Sequence, residues 1–549
     1  MPLQTLITGR IATLAGDSGF GWVEAIGIRD GRVAFAGSAV DLETRADPHT
    51  ERIELEPDEV AIPGLTDAHL HLARCAATMR HLDLTGAATL SDGLVAIKRA
   101  HAALADPEAW LEGHGWDVDR WGRWPTADDL EGVAPGRRCA FWAHDHHSLL
   151  ASRAALTVAG VTRDTPDPAG GVIRRGADGK PEGVVQEAAT RLVTIHIPPI
   201  GQAEMESALI AVSLEVLALG VVAVHDPGGC APDPDLGWSY PACAHLSEIG
   251  RLPLRVVVSL RDDALETALA GGLRSGAVLG ADPGGRARVG WQKCFADGSL
   301  GSRTAALLAD IEAEPGRPLP SELRRGVWNT EPDQLRELVE RAAGGGISTQ
   351  IHAIGDAAVR AALDALEPSA GRVPFMPRIE HVQLVDPADL GRFAKAGIVV
   401  SVQPAHLGSD AAQARQLWGA RAEQSGYAWG TLATTGAVIA FGTDAPVEPF
   451  DPWPGIALAV RREDPRWPAG TKPFSPSEAL SLDRALRAAS VDPVTSTRES
   501  DRGRLTVGQR ADIVVIPAAA IDDPVEPGGA LATTRPSIVV MDGRVVFEA

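Results

Sequence analysis

The 549-residue sequence predicts an α/β protein with three parts: a (β/α)8 TIM barrel, an inserted α+β subdomain, and a small β-sandwich formed by both chain termini. Three observations lead to this fold class. Apolar runs of strand length alternate with helical segments between about residues 61 and 485, which is typical of a parallel sheet covered on both faces. Similar hairpin patterns occur at the two ends of the chain. A gap of roughly 145 residues separates the first two barrel strands, which is too long for an ordinary βα loop.

Short alternating runs near the N-terminus predict antiparallel strands. Residues 23–37 form two such runs around Asp30-Gly31, a dipeptide that strongly favours a two-residue hairpin turn. Residues 537–547 repeat the pattern with the same Asp-Gly-Arg-Val core. Each half-sheet alone would expose an apolar face and unpaired edges. We therefore expect residues 1–60 and 486–549 to form one composite β domain.

The middle of the chain contains eight apolar runs of strand length, which is the number that a closed barrel requires. Segments rich in Ala, Leu, Glu and Arg separate several of them and predict helices at residues 204–219, 334–343 and 357–366. We expect the barrel to comprise residues 61–80 and 206–485. The predicted barrel strands are residues 60–71, 220–226, 254–260, 288–295, 348–352, 378–381, 398–402 and 438–444.

Residues 81–205 fall in the long gap between the first two barrel strands and predict the inserted subdomain. Two further strand-like runs, residues 110–116 and 138–144, lie within it. Loops at the carboxyl ends of barrel strands determine which substrate a barrel enzyme accepts. We expect the insertion to cap the substrate pocket.

The composition excludes several classes of protein. The chain has 72 Asp and Glu against 51 Lys and Arg, a formal charge of −21, and no cluster of basic residues, so we expect no nucleic-acid partner. No apolar run reaches the ~18–20 residues of a membrane span, and the N-terminus lacks a basic segment followed by an apolar one, so we expect a cytoplasmic protein without a membrane partner. The five cysteines are widely spaced without a CxxC pair, which predicts neither disulfides nor a thiolate metal site. Any metal must then be held by histidines and carboxylates.

Two histidines lie at the C-terminal end of the first predicted barrel strand, in Thr66-Asp67-Ala68-His69-Leu70-His71. Because residues two apart in an extended strand share a face, we expect His69 and His71 to point together toward the barrel mouth. Barrel enzymes place their reactive groups at this end of the strands. Two imidazoles on one side can chelate a divalent metal ion.

Further polar side chains end the later strands. His352 ends the fifth, His381 the sixth and Asp444 the eighth, while Lys293 lies inside the otherwise apolar fourth strand. A lone lysine inside a barrel incurs a large desolvation cost, so it needs a carboxylate partner or must itself be modified. Reaction of the amine with carbon dioxide would turn it into a metal-bridging carboxylate.

This set of residues on strands one, four, five, six and eight resembles the amidohydrolase superfamily. Four phrases resemble its YtcJ-like branch (amidohydrolase family 3), which includes N-substituted formamide deformylases: His352-Ala353-Ile354-Gly355-Asp356, Lys293-Cys294-Phe295-Ala296-Asp297-Gly298, Ile379-Glu380-His381 and Phe441-Gly442-Thr443-Asp444-Ala445-Pro446. The resemblance covers nearly the whole chain, including the terminal β domain and the insertion.

The resemblance implies a ligand set and a role for one residue. By it, one or two divalent ions, for which zinc is the expected metal, would be bound by His69, His71, a carbamylated Lys293, His352, His381 and Asp444. Asp444 would also act as general base and acid. General metal-ion chemistry is consistent with this site, because a divalent cation lowers the pKa of bound water from 15.7 toward ~7 and polarises a substrate carbonyl. Asp444 would take the water proton and pass it to the leaving amine.

Six other residues are candidates for substrate contact, because they are expected near strand ends or in the insertion. Each has an ordinary alternative as a packing residue, a hydrogen-bonded residue or a member of a loop salt bridge. The candidates are His147, Glu187, His225, Arg303, Gln403 and His406.

These observations predict a metal-dependent amidohydrolase that uses metal-activated water to cleave a C–N bond of a small molecule, such as an amide or N-formyl compound. Two alternatives stay open. The same metal barrel could hydrolyse an ester or lactone or deaminate a ring, or the chain could be a non-catalytic binding protein. Histidine and carboxylate ligands suit zinc, manganese, iron and cobalt, so the residues alone do not identify the metal. A homodimer is the expected default assembly because dimers are the commonest oligomers.

Overall fold

The computed structural model describes residues 3–45, 47–79, 81–144, 148–168, 171–198, 200–228, 239–282, 284–301, 303–312, 324–524 and 528–549. The chain forms two compact units, one containing Met1–Ala73 with Ser213–Ala549 and the other containing Arg74–Val212. The first unit contains a sheet built from both termini and a parallel barrel, and the second contains a third sheet. Within the described ranges, no helix combines the length and the hydropathy that crossing a bilayer requires.

The terminal sheet begins with the N-terminal strands. Asp30 and Gly31 join two of these strands with φ angles of 52° and 73°, and positive values at both positions are what a two-residue type I′ hairpin turn requires. The elements are β1 (Thr5–Ala12), β2 (Trp22–Arg29), β3 (Arg32–Gly37), helix α1 (Ala39–Glu43), β4 (Glu51–Glu54) and β5 (Glu59–Pro63).

The prediction of residues 60–71 as one barrel strand is wrong. The chain leaves β5, turns at Gly64 and forms the short barrel strand β6 (Leu65–Asp67), so His69 and His71 lie beyond the strand. A Cβ on Gly64 would lie 2.8 Å from Cγ2 of Val222, so glycine suits the point where the chain crosses from one sheet to the other. Apolar periodicity does not distinguish one long strand from two short strands in different sheets.

The second unit is an α+β fold. Its sheet has the order β11-β12-β10-β9-β8-β7, and Trp116, Phe141 and Leu150 lie in its core. The elements from α2 onward are α2 (Leu72–Thr78), β7 (Leu82–Asp83), α3 (Leu90–Ala103), β8 (Leu111–Trp116), α4 (Val118–Trp121), α5 (Ala127–Glu131), β9 (Cys139–Ala143), β10 (Ser148–Ala151), α6 (Arg153–Val158), β11 (Gly171–Arg175), β12 (Pro181–Glu187), the 3-10 helix Ala188–Thr190 and α7 (Arg191–Thr194).

The remaining barrel strands alternate with helices, as the sequence predicts. The elements are α8 (Gln202–Ala218), β13 (Val221–Asp226), α9 (Ser239–Glu248), β14 (Arg255–Arg261), the 3-10 helix Asp262–Ala264, α10 (Leu265–Ala270), β15 (Ala287–Phe295), α11 (Pro332–Gly344), β16 (Thr349–Ala353), α12 (Asp356–Leu366), β17 (Arg378–His381), α13 (Arg392–Ala396), β18 (Val399–Val402), α14 (Pro404–Trp418), α15 (Ala420–Ser425), α16 (Trp429–Thr434), β19 (Ile439–Phe441), α17 (Pro452–Arg461), the 3-10 helix Pro476–Glu478, α18 (Leu482–Ala488) and α19 (Val491–Ser496).

The eight barrel strands are parallel and follow the order β19-β18-β17-β16-β15-β14-β13-β6. Backbone hydrogen bonds connect the first and last of these strands: the N–H of Ala68 donates to Phe441 O (2.8 Å), and the N–H of Asp444 donates to His69 O (2.7 Å). The barrel is therefore nearly closed, which confirms the predicted fold class. All eight carboxyl ends meet at one rim, so side chains far apart in sequence come together there.

The C-terminal strands complete the terminal sheet. They are β20 (Ile513–Pro517), β21 (Ile538–Met541) and β22 (Arg544–Glu548), with helix α20 (Ala519–Asp522) after β20. The sheet order is β22-β21-β20-β5-β1-β2-β3, with β4 paired to β1, so strands from the two ends of the chain meet at the β5–β20 pair. Its core contains Ile7, Ile26 and Ile513.

Candidate metal centre

His69 and His71 are held in place by the end of the last barrel strand. The carboxylate of Asp67 accepts the N–H of His69 (3.0 Å) and the hydroxyl of Thr443 (2.6 Å). The N–H of His71 donates to Ala445 O at 3.0 Å. The two imidazole rings lie 5.5 Å apart. The histidines therefore come together through hydrogen bonds between the first and last strand ends, and not through the alternation of a strand.

Asp444 lies between these histidines and a third one. Its Oδ1 is 3.3 Å from Nε2 of both His69 and His71, and its Oδ2 is 3.4 Å from Nε2 of His406. Burial alone would raise the pKa of Asp444, but the neighbouring His69 and hydrogen bonds from His69 and His71 hold it well below its usual value. Asp444 is therefore a carboxylate at neutral pH.

Glu380 orients His69, and the sequence analysis assigned it no role. Its Oε2 lies 2.6 Å from Nδ1 of His69, which leaves the Nε2 of the ring to face Asp444. Although burial opposes the charged form, Arg378 and then His69 hold the pKa of Glu380 well below its usual value. The sequence could have indicated a role for Glu380, because it is a charged residue within a short strand, β17, that is otherwise expected to be buried.

Arg378 supports Glu380 from inside the barrel and was also not predicted. Its fully buried guanidinium donates to Oε1 of Glu380 (2.9 Å), Ala68 O (2.6 Å) and Oγ of Ser401 (2.7 Å). It also lies 3.0 Å from Nδ1 of His225. His225, a predicted candidate for substrate contact, is buried in this network. Burial and the charge of Arg378 hold the pKa of His225 well below its usual value.

His381 and His406 form a second group with Asp444. The His381 and His406 rings stack at 5.7 Å with an interplanar angle of 15°. Ligand atoms of His381, His406 and Asp444 all lie within 4.8 Å of one another, as do those of His69, His71 and Asp444. Among the described residues, neither Nδ1 of His381 nor Nε2 of His406 has a hydrogen-bond partner, although both atoms are buried.

His352 lies beside the second group but faces another loop. Its ring is 4.5 Å from that of His381, while its Nε2 is 3.0 Å from Gly298 O and 3.5 Å from Oδ1 of Asp297. Burial and then the charge of Lys293 lower the pKa of His352 to about 3, so the imidazole is neutral and able to act as a ligand.

Asp297 is a further residue that the sequence analysis quoted without a role. It is fully buried in the loop after β15, and its carboxylate accepts the N–H groups of Ile354 (3.1 Å), Gly355 (2.9 Å) and Ala306 (2.9 Å). These bonds tie the end of β15 to the end of β16. Burial raises the pKa of Asp297 to about 7.

Lys293 points into the barrel, as predicted from its position in an apolar strand. It is 1% exposed, and its Nζ lies 5.0 Å from the centroid of the Phe295 ring. In the described part of the chain it makes neither a hydrogen bond nor an ion pair within 4 Å. Burial lowers the pKa of Lys293 to about 8, against the carboxylates of Glu380 and Asp444, which raise it.

The remaining candidates for substrate contact lie in different parts of the chain. Gln403 is buried directly before α14, and both of its side-chain amide atoms lack hydrogen-bond partners among the described residues. Arg303 lies in the loop after β15, with its N–H donating to Leu300 O (3.0 Å). Glu187 ends β12 in the second unit. His147 lies outside the described residues.

The donor atoms fit a divalent transition metal. Imidazole nitrogens and carboxylate oxygens are the ligands that zinc, manganese, iron and cobalt accept. Buried polar atoms normally have a hydrogen-bond partner, and among the described residues Nδ1 of His381 has none, while Nε2 of His406 lies 3.4 Å from Asp444 without a hydrogen bond. Both nitrogens are therefore consistent with a metal ligand position. A parallel barrel with such donors at its strand ends is typical of metal-dependent hydrolases.

Comparison with known proteins identifies the family. The model of the amidohydrolase family, Amidohydro_3, matches residues 58–547, and the chain belongs to this family. A crystal structure of an uncharacterized metal-dependent hydrolase from Pyrococcus furiosus is similar at a TM-score of 0.74 and 26% identity, over 95% of this chain and 100% of that one. The chain is therefore a metal-dependent hydrolase of this family.

Three relatives extend the comparison. Protein LONG AFTER FAR-RED 3 of Arabidopsis thaliana is 31% identical over 92% of this chain and 86% of its own length. The YtcJ protein of Bacillus subtilis (strain 168) is 29% identical over 96% of both chains. The N-substituted formamide deformylase of Arthrobacter pascens is 25% identical over 91% of both chains. The last two confirm the resemblance that the sequence motifs indicated.

Proposed function

We propose that this protein hydrolyses a C–N bond of a small amide, N-formyl compound or related molecule. The observation that carries the proposal is the position of Asp444 between Nε2 of His69 and His71 on one side and Nε2 of His406 on the other. The similarity to an enzyme named N-substituted formamide deformylase supports an amide as the substrate.

Two groups of residues would hold the metal. His69 and His71 with Asp444 form one group, and His381 and His406 with Asp444 form the other. Lys293 and His352 complete the predicted set. When bound there, a divalent ion, which we propose to be zinc, lowers the pKa of water and polarises a carbonyl.

Asp444 has two tasks in the proposed reaction. As a carboxylate it accepts a proton from the attacking water while a C–O bond forms at the substrate carbonyl. It then donates this proton to the leaving nitrogen while the C–N bond breaks. The products are a carboxylic acid and an amine, and Asp444 returns to its starting state. Glu380 keeps the imidazole of His69 in the orientation that holds Asp444.

The buried amine of Lys293 is suited to react with carbon dioxide. A pKa of about 8 leaves roughly a tenth of this amine unprotonated at pH 7, far more than for an ordinary lysine, and only the neutral amine reacts with carbon dioxide. We propose that Lys293 carries a carbamate, which would replace an uncompensated buried cation by a carboxylate ligand.

Elemental analysis tests the site. We expect purified wild-type protein to contain a divalent transition metal and the double variant His69→Ala, His71→Ala to lose most of it. The exposed residue His49 provides a matched control through His49→Ala. Metal content that stays at the wild-type level in the double variant would exclude the proposed centre.

A panel of substrates tests the chemistry. The metal-loaded enzyme is assayed on N-substituted formamides, the corresponding formate esters and aminated ring compounds. We expect turnover of formamides, and we expect Asp444→Asn to reduce kcat by at least about 100-fold, because general acid and base catalysis contributes 10²–10⁴-fold. Asp333→Asn, at an exposed carboxylate of α11, is the control. Turnover confined to esters or rings would instead support one of the other metal-barrel reactions.

A further inference from the structure

Arg261 lies at the barrel rim beside the candidate metal centre. It is the last residue of β14, and the register of β14 with β15 places it opposite Lys293. Carboxyl ends of barrel strands carry the groups that contact substrate. Arg261 is partly exposed, whereas Lys293 is buried, so the arginine lies on the solvent side of the lysine.

Two contacts fix the Arg261 side chain near the centre. A Cβ on Gly228 would lie 3.6 Å from Cγ and Cδ of Arg261, and Gly228 O lies 3.3 Å from Nδ1 of His71. At the other end, Cζ of Arg261 lies 4.6 Å from the centroid of the Phe295 ring. That ring is also 5.3 Å from the ring of His352. The guanidinium therefore lies near Gly228 and Phe295, and each of these residues contacts a candidate ligand, His71 and His352 respectively.

The guanidinium has no anionic partner in the described part of the chain. Among the described residues it makes no side-chain hydrogen bond or ion pair, and its charged group lies over the face of Phe295. Stacking covers one face of a guanidinium and leaves its edge of N–H donors available. Nζ of the candidate ligand Lys293 is 5.0 Å from the centroid of the same ring, so Arg261 and Lys293 both contact Phe295. A substrate anion placed at this edge would meet charged N–H donors that no described carboxylate occupies.

We propose that Arg261 binds a carboxylate of the substrate, so that the substrates are amides or formamides with a carboxylate a few bonds from the scissile C–N bond. The inference rests on the proposed amide hydrolysis. Arginine suits this task because its planar guanidinium donates two parallel hydrogen bonds to a carboxylate. A neutral analogue of the same size lacks that interaction.

Matched substrates test the proposal. N-Formyl-β-alanine and N-propylformamide have the same formamide group and nearly the same length, but only the first carries a carboxylate. We expect metal-loaded wild-type enzyme to prefer the first compound, and we expect Arg261→Met to lower the ratio of the two kcat/KM values about 10- to 100-fold, mainly through KM. Arg261→Lys, which keeps the charge, should retain part of the preference. Arg336→Met, at an exposed arginine of α11, should keep all of it.

Two results would overturn the inference. Equal changes for both compounds in Arg261→Met would mean that the arginine does not recognise the carboxylate. Loss of metal in Arg261→Met, measured by elemental analysis, would assign the arginine to the metal centre instead. Hydrolysis of neither formamide by a metal-loaded wild type that hydrolyses esters would refute the proposed reaction and not the anion site.

A binding measurement tests the anion site without turnover. Calorimetric titration of Asp444→Asn protein with both compounds should give tighter binding of N-formyl-β-alanine, and adding Arg261→Met should abolish the difference. If Asp444→Asn protein binds both compounds equally, Arg261 is not a carboxylate anchor, whatever reaction the enzyme catalyses.

Discussion

Nδ1 of His69 lies 2.6 Å from Oε2 of Glu380, and both side chains are buried. The contact joins residues 311 positions apart in the sequence. A carboxylate behind a metal-binding imidazole fixes its tautomer and raises its basicity. Glu380 therefore determines which nitrogen of His69 is available to a metal, although it is not itself a candidate ligand.

This contact predicts that Glu380→Gln weakens metal binding. The amide keeps the size of the side chain but loses its charge, and loss of such a supporting carboxylate typically costs 10- to 100-fold in metal affinity. Competition with a chromogenic chelator measures the affinity. Glu340→Gln, at an exposed carboxylate paired with Arg372, is the control. Unchanged affinity in Glu380→Gln would show that His69 does not depend on this contact.

His406 is predicted to contribute directly to metal binding. We expect His406→Phe to keep the stacking on His381 but to lower metal affinity at least about tenfold, because one imidazole donor is lost. Chelator competition and elemental analysis provide the readout, with His49→Phe as the matched control. If metal content and affinity stay at wild-type values while KM rises, His406 contacts substrate and not metal.

The proposed carbamate on Lys293 predicts that added carboxylates restore metal binding to a Lys293→Ala variant. We expect Lys293→Ala to bind less metal than the wild type, and we expect acetate or propionate to restore part of the metal content by occupying the place of the carbamate. Lys395→Ala, at an exposed lysine of α13, should bind the wild-type amount. A Lys293→Ala protein with full metal content and no response to added carboxylate would contradict a carbamate ligand.

Arg255 predicts a large effect on stability at a distance from the candidate metal centre. Its guanidinium pairs with Asp512 at 2.8 Å and with Asp542 at 2.5 Å, which joins β14 to the terminal sheet. Removal of one partner from a buried ion pair typically costs 3–5 kcal/mol, so we expect Arg255→Met to lower the free energy of unfolding by about 3–5 kcal/mol.

Urea denaturation measures this change, and the exposed pair of Arg372 with Glu340 supplies a control variant, Arg372→Met, for which we expect less than about 1 kcal/mol. A similar small change in Arg255→Met would mean that this buried ion pair contributes little to stability.

Much of the fold could be predicted because its signals are local. Seven of the eight predicted barrel strands overlap the observed ones to within a few residues, since an apolar strand between two helices carries its own periodicity. The exception was residues 60–71, where β5 and β6 are consecutive but belong to different sheets. Only pairing partners distinguish such strands, and those lie far away in the sequence.

The candidate site was predicted less completely. Residue type and strand-end position were enough to select His69, His71, His381 and Asp444, which the structure brings together. Glu380 and Asp297 were missed as supporting residues because their partners are the side chain of His69 and the backbone of distant loops. His406 was selected only as a substrate contact.

The sequence by itself determined the kinds of donor available, the number of barrel strands and the family to which the chain belongs. Only the tertiary structure decided that Oδ1 of Asp444 faces His69 and His71 while Oδ2 faces His406, and that His225 lies in a buried network with Arg378. The physical reason is that strand periodicity is a property of neighbouring residues, whereas the direction of a buried polar side chain depends on hydrogen-bond partners that barrel closure brings from other strands.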